Sequence, residues 1–147
     1  MINEQTTVPM NEQAMQPPEH FQVNEEYAAY DPIGVVSLEK AANLISSAII
    51  FARDHNIKLL LVDARQLTGF PSPSLPDRYF IAREWALAGK SQVSVAVVLQ
   101  RYMIDPERFG VQVAINMGMR ANVFDSRPEA LAWLLGPDDP YAFGSAP

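Results

Sequence analysis

Cysteine is absent from the 147-residue chain, which rules out disulfides, thiolate metal sites and cysteine nucleophiles. Histidine is nearly absent: His20 and His55 stand far apart, and neither His-x-x-His nor His-Glu-x-x-His spacing occurs. A zinc site would therefore have to draw its other ligands from carboxylates, and both histidines read as solvated polar residues. Positive charge is scarce too, with 11 Lys and Arg against 17 Asp and Glu and a formal charge of -6. Binding to a phosphate backbone needs clustered cations that displace counterions, so nucleic acid is not an expected partner. No apolar run approaches the roughly 18 residues of a bilayer span. The first residues, Met1-Ile2-Asn3-Glu4-Gln5, lack the basic and apolar regions of an export signal, so the expected location is cytoplasmic. A glycine-rich phosphate loop is also missing, because Gly110 to Gly118 lacks the lysine and the spacing.

What the chain does have is 48% apolar and 19% charged residues, the balance of an ordinary globular protein with one core. Residues 1–19 are polar and proline-bearing and read as a flexible tail; 20–136 form the domain; 137–147 read as C-terminal coil. The most informative stretch is Leu59-Leu60-Leu61-Val62-Asp63, an apolar run closed by a carboxylate, which predicts a strand buried on both faces over Lys58 to Asp63. Val93 to Leu99 predicts a second central strand of the same kind. Short strands are expected at Phe21 to Val23, Tyr27 to Tyr30 and Ala121 to Phe124.

Between these runs the period changes to that of helices. Leu38, Ala41, Ala42, Ile45, Ala48, Ile49 and Ala52 repeat at three and four behind Ser37 as N-cap, predicting a helix to about His55, with Asn56 as a left-handed stop. A second helix is predicted from Leu75 to Ala88, capped by Ser74 with Pro76 in the first turn and ended by Gly89. Tyr79, Phe80, Ile81 and Trp85 are expected to pack toward the sheet or a neighbour. Asp105-Pro106 is expected to open a third helix running to about Met117, with Gly118 as terminator, and Ser126 to cap a last one ending near Leu135. The order β-β-α-β-α-β-α-β-α gives an α/β domain with a mixed, largely parallel sheet of four to five strands and about four helices.

In an open α/β sheet, ligands bind beyond the carboxyl ends of the strands, so the segment from Arg65 to Asp77 is the expected site. Ser74 fits both an N-cap and a phosphosite at a helix N-terminus, and Ser72 fits a turn residue or a second phosphosite. Arg65, Arg78 and Arg83 are candidates for anion binding, and Asp63 for holding the loop through backbone N–H groups. Phe70, Tyr79, Phe80 and Trp85 are the candidate lining of an apolar pocket. Tyr102, Met103, Met117 and Met119 fit either a sticky exposed surface or the core.

Six segments, in this order and spacing, resemble the STAS-like (SpoIIAA-like) family of small stand-alone bacterial proteins. They are Leu61-Val62-Asp63, Leu67-Thr68-Gly69-Phe70, Ala96-Val97-Val98, Pro106-Glu107-Arg108-Phe109-Gly110, Asn122-Val123-Phe124 and Ala130-Leu131-Ala132-Trp133-Leu134. The resemblance covers about residues 20 to 136 and implies a STAS-like fold acting by contact with another protein. Anti-sigma factor antagonists of this fold carry a phosphorylatable serine in an Asp-Ser-Ser-Gly type turn, and that pattern is missing around Ser72 and Ser74. The expectation is a non-enzymatic regulatory domain without cofactors or metals. It would meet a protein partner through a surface of Asp63, Arg65, Thr68, Gly69, Phe70, Arg78, Tyr79 and Trp85. The alternative is a domain that binds or senses a small apolar or anionic molecule, and a homodimer is compatible with either.

Overall fold

Residues 16–137 are described by the computed structural model. Most of the expected tail, residues 1–15, and the C-terminal coil from 138 onward lie outside the described residues. Phe21–Val23 (β1) and Ala28–Tyr30 (β2) form a hairpin in which the Asn24 side-chain oxygen accepts the N–H groups of Glu26 and Tyr27. Gly34–Val35 (β3) leads to Leu38–Asp54 (α1), which Ser37 caps by accepting the Lys40 N–H. Asn56 takes the left-handed conformation expected of it, at φ 60°, and the chain enters Leu59–Asp63 (β4). Leu67–Thr68 (β5), Leu75–Gly89 (α2), Ser94–Val98 (β6), Phe109–Asn116 (α3), Ala121–Phe124 (β7) and Arg127–Leu134 (α4) complete the order.

The main sheet runs β1-β2-β4-β6-β7, with β1 antiparallel and the other strands parallel. The two apolar runs therefore lie side by side, Leu59 opposite Ser94 and Asp63 opposite Val98. The protein is an α/β domain with a mostly parallel mixed sheet and four helices among the described residues. No helix among them is long and apolar enough to cross a membrane.

Strand alternation sorts the core into two layers. Leu60, Val62, Val95 and Val97 pack with α1, α2 and α3 on one face, while Leu61, Ala96 and Val98 meet Ala130 and Leu134 of α4 on the other. Full burial of such aliphatic side chains contributes roughly 1.5–3 kcal/mol each. Each parallel strand neighbours the one before it, so the three crossover helices share a face, and among the described residues only α4, after the last strand, covers the opposite one. The sheet order consequently never reverses, and the crevice that a reversal opens at the carboxyl ends of strands does not form.

Local departures from the sequence expectations have local causes. Helix α2 does not end at Gly89: Lys90 at φ 49° is its left-handed cap, and Gly89 is closely packed, a Cβ there lying 3.0 Å from Met119 Cε. The face α2 buries carries Ala82, Ala86 and Ala88, whereas Leu75, Phe80 and Leu87 stay exposed. Asp105 does not open α3. Its two oxygens accept the N–H groups of Glu107 and Phe109, Arg108 turns left-handed at φ 54°, and the helix starts only at Phe109. A 3₁₀ turn at Arg101–Met103 and the two-residue strands β3 and β5 were not expected. Of the candidate sticky residues, Met103 and Met119 are buried and Tyr102 and Met117 are exposed.

Candidate functional site

Three aspartates stand where parallel strands end: Asp31 after β2, Asp63 closing β4 and Asp125 after β7. Each meets an arginine. Arg65 grips Asp63 with Nε and Nη2 at 2.9 and 2.7 Å, the two-pronged geometry that a guanidinium makes with a carboxylate. Arg127, in the first turn of α4, donates from Nη1 to Asp31 at 2.6 Å and to Asp63 at 3.2 Å. Arg101 pairs with Asp125 at 2.7 Å. Asp63 is 9% exposed, and burial alone would raise its carboxyl; the side-chain and backbone hydrogen bonds of Arg65, its charge, and Arg127 outweigh burial and hold the group below its usual range. With Pro32 and Gln66, Asp31, Asp63, Arg65 and Arg127 line a polar recess on the α4 face. Every charge in it is matched, so the recess acts as a clamp that ties β2, β4 and α4 together.

The loop beyond Asp63 is clamped as well. β5 pairs in parallel with β3, Val36 N–H donates to the Thr68 carbonyl at 2.7 Å, and Gly34 N–H donates to that of Gln66 at 3.1 Å. Gly69 follows at φ +109°, where a Cβ would lie 2.5 Å from the Val36 carbonyl oxygen. Thr68 and Gly69 are thus exposed at the tip of a pinned segment. Ser74 caps α2 by accepting the Asp77 N–H, and the Ser72 hydroxyl accepts from Arg78 Nη2 at 2.8 Å.

On the three-helix face lies a different kind of space. A cavity of about 150 Å³ opens between α1, α2, α3 and the sheet, walled by Ala41, Ile45, Phe70, Trp85, Val97 and Val123 among others. It owes its existence to the small residues: Ala41 and Ala42 of α1, Ala82 of α2 and Ala114 of α3 all border it, where larger side chains would have closed the gap. Trp85 is fixed at its wall by donating Nε1–H to the Ala42 carbonyl at 3.1 Å. Phe70 and Trp85 line the cavity as expected from the sequence, but Tyr79 and Phe80 do not. They pack edge to face with each other at 5.2 Å on the outside of α2, 40% and 58% exposed.

The arginines separate in the same way. Arg65 belongs to the polar recess, Arg78 to the cavity, and Arg83 lines neither, so the three do not gather into one anion site. Arg78 reaches the Met103 carbonyl at 3.0 Å, and Arg108, unremarked by composition or spacing, sits at the far wall. Its Nη1 donates to Asn122 Oδ1 at 2.8 Å and to the Val123 carbonyl. Asn122 Oδ1 also accepts the Val123 N–H, so the N–H and C=O of Val123 on edge strand β7 are both covered by these two side chains. That geometry fixes the amide and leaves Asn122 Nδ2 buried without a partner among the described residues. Burial pulls the Arg108 guanidinium below its usual range, with Asp125 opposing. Two signals in the sequence point here: a polar Asn inside an otherwise apolar strand, and an Arg beside Pro106 and Phe109.

On the other face, Trp133 lies under the Arg120 guanidinium at 4.0 Å and beside Phe124. Of the two histidines, His55 stacks on Phe51 and bonds its carbonyl at 2.9 Å, remote from both sites, and His20 is exposed. No protein-family model matches the chain, and no curated protein is significantly similar to it.

Proposed function

We propose that this protein is a non-catalytic, STAS-like binding domain of the cytoplasm that holds a small, largely apolar molecule between α1, α2, α3 and the sheet. The observation that carries this reading is the cavity of about 150 Å³ beside Phe70 and Trp85. A space of this size, walled mostly by aliphatic and aromatic side chains, takes a benzene-sized body. Nothing about the reading requires a reaction: the carboxylates at the strand ends are engaged by arginines, which leaves them poorly placed as general bases. Trp85 provides the assay, because the chain has two tryptophans and the other, Trp133, lies on the opposite face. In a Trp133→Phe background, adding 3-phenylpropan-1-ol should shift or quench Trp85 emission saturably. Native mass spectrometry of protein isolated gently from its source should show a retained small mass. A clean apo mass together with an unresponsive Trp85 would overturn the reading.

A second reading rests on the outer side of α2, where Leu75, Tyr79 and Phe80 are exposed next to the pinned loop. Such a contiguous apolar strip suits contact with a protein partner, in keeping with the regulatory role that the STAS-like resemblance implies. Crosslinking in which Phe80→Ala and Ser74→Glu leave every captured partner unchanged, a second copy of the chain included, would count against it.

A further inference from the structure

Arg78 and Arg108, the arginines at the cavity, differ from four of the chain's other arginines. Arg53, Arg65, Arg101 and Arg127 each pair with a carboxylate, as expected where acids outnumber bases. Arg78 and Arg108 pair with none among the described residues, although both line the cavity. Their bonds go to neutral oxygens: Arg78 to the Met103 carbonyl and the Ser72 hydroxyl, Arg108 to Asn122 Oδ1 and the Val123 carbonyl. On Arg108 all of this is done by Nη1, and Nε and Nη2 make no bond to any described residue. Its unused edge presents two parallel N–H donors, the fork that matches a carboxylate. Asp105, the one acidic residue lining the cavity, has its oxygens engaged by the backbone N–H groups of Glu107 and Phe109.

A largely apolar chamber walled in part by two guanidinium groups that contact no carboxylate among the described residues is complementary to one kind of molecule. We infer that the cavity ligand is a small apolar monocarboxylate, its phenyl-sized body against Trp85, Ile45 and Val97 and its carboxylate on the free edge of Arg108, with Arg78 at the rim. The inference rests on the ligand-binding reading above and adds the head group to it. Holding Nη1 on Asn122 and Val123 orients the fork before the ligand arrives, so little side-chain freedom is lost on binding.

The test compares 3-phenylpropionate with the neutral 3-phenylpropan-1-ol by isothermal titration calorimetry on the full chain near neutral pH. Charge-assisted pairing at a partly desolvated site should favour the acid by about tenfold or more. Arg108→Gln should bring the acid to the level of the alcohol and leave the alcohol unchanged; Arg78→Gln should weaken the acid in the same direction; Arg83→Gln, away from the cavity, should change neither. Equal affinities for acid and alcohol in the unmutated protein would overturn the head-group assignment while leaving the cavity reading intact. Binding of neither would overturn both. Because Arg108 also covers the edge of β7, each variant is first checked by thermal melting, and if Arg108→Gln is unfolded the acid-to-alcohol ratio of the unmutated chain and of Arg78→Gln decides.

Discussion

Replacing Gly69 with alanine tests how firmly the loop after the central strand is held. At φ +109° an L-residue is strained by about 1–3 kcal/mol. The new Cβ would lie 2.5 Å from the carbonyl oxygen and 2.9 Å from the nitrogen of Val36, and neither is the movable end of a side chain. Relief requires β3 and β5 to separate, which breaks the Val36 N–H bond to the Thr68 carbonyl and forfeits about 1 kcal/mol more. The expected loss is therefore about 2–4 kcal/mol, a large part of the stability of a domain of this size. Urea denaturation followed by far-ultraviolet circular dichroism should show the midpoint falling with its slope unchanged. Thr68→Ala, at an exposed position on the same strand, should stay within about 0.5 kcal/mol. A Gly69→Ala loss below about 1 kcal/mol would show that the loop yields freely and that the clamp between β3 and β5 is not what positions Phe70 at the cavity.

The Asp63 carboxyl is depressed in the folded chain, so its stabilising contribution is complete above the unfolded-state value of about 3.9 and is lost as pH falls through the folded one. Urea midpoints measured from neutral pH downward should therefore show an acid limb below about pH 4 that is shallower in Asp63→Asn; superimposable limbs would refute the role of the Arg65 and Arg127 pairs. Ser74→Ala should cost about 1 kcal/mol in the same assay and Ser74→Asp almost nothing, because aspartate also accepts the Asp77 N–H; equal losses would show that the hydroxyl does more than cap α2. Ala82→Leu, placed on the cavity wall, should abolish the Trp85 response to 3-phenylpropan-1-ol while changing stability by no more than about 1–3 kcal/mol, and an undiminished response would locate the probe elsewhere.

The framework was legible where many residues repeat one pattern. Leu59 to Asp63 and Val93 to Leu99 announce central strands because burial on both faces leaves no room for polar alternation, and Ser37, Ser74 and Ser126 announce helix starts because the cap needs a hydroxyl at one position. β3 and β5 were illegible for the opposite reason: two residues carry no period, and each is a strand only because the other is there. The start of α3 was misplaced because Asp105 and Pro106 look like a helix opening, while the left-handed Arg108 that postpones it has no side-chain signature. Of the site, Phe70, Trp85, Arg78, Asp63 and Arg65 could be named from their position after the central strand. Asp31, Arg127 and Asn122 could not, since they come from strands and a helix whose closeness is a property of the sheet order.

That sheet order also bears on how the chain reaches its native state. β4 docks beside β2, β6 beside β4 and β7 beside β6, so no strand has to be inserted between two that are already paired. The contacts each unit needs are with the unit made just before it, which keeps closing loops short and lets assembly advance in the direction of synthesis. Until residues 127–134 emerge, the side of the sheet bearing Leu61, Ala96 and Val98 has no helix above it among the described residues. A ribosome-stalled chain ending before Arg127 should accordingly bind a hydrophobic dye or a holding chaperone, and release it once α4 is complete.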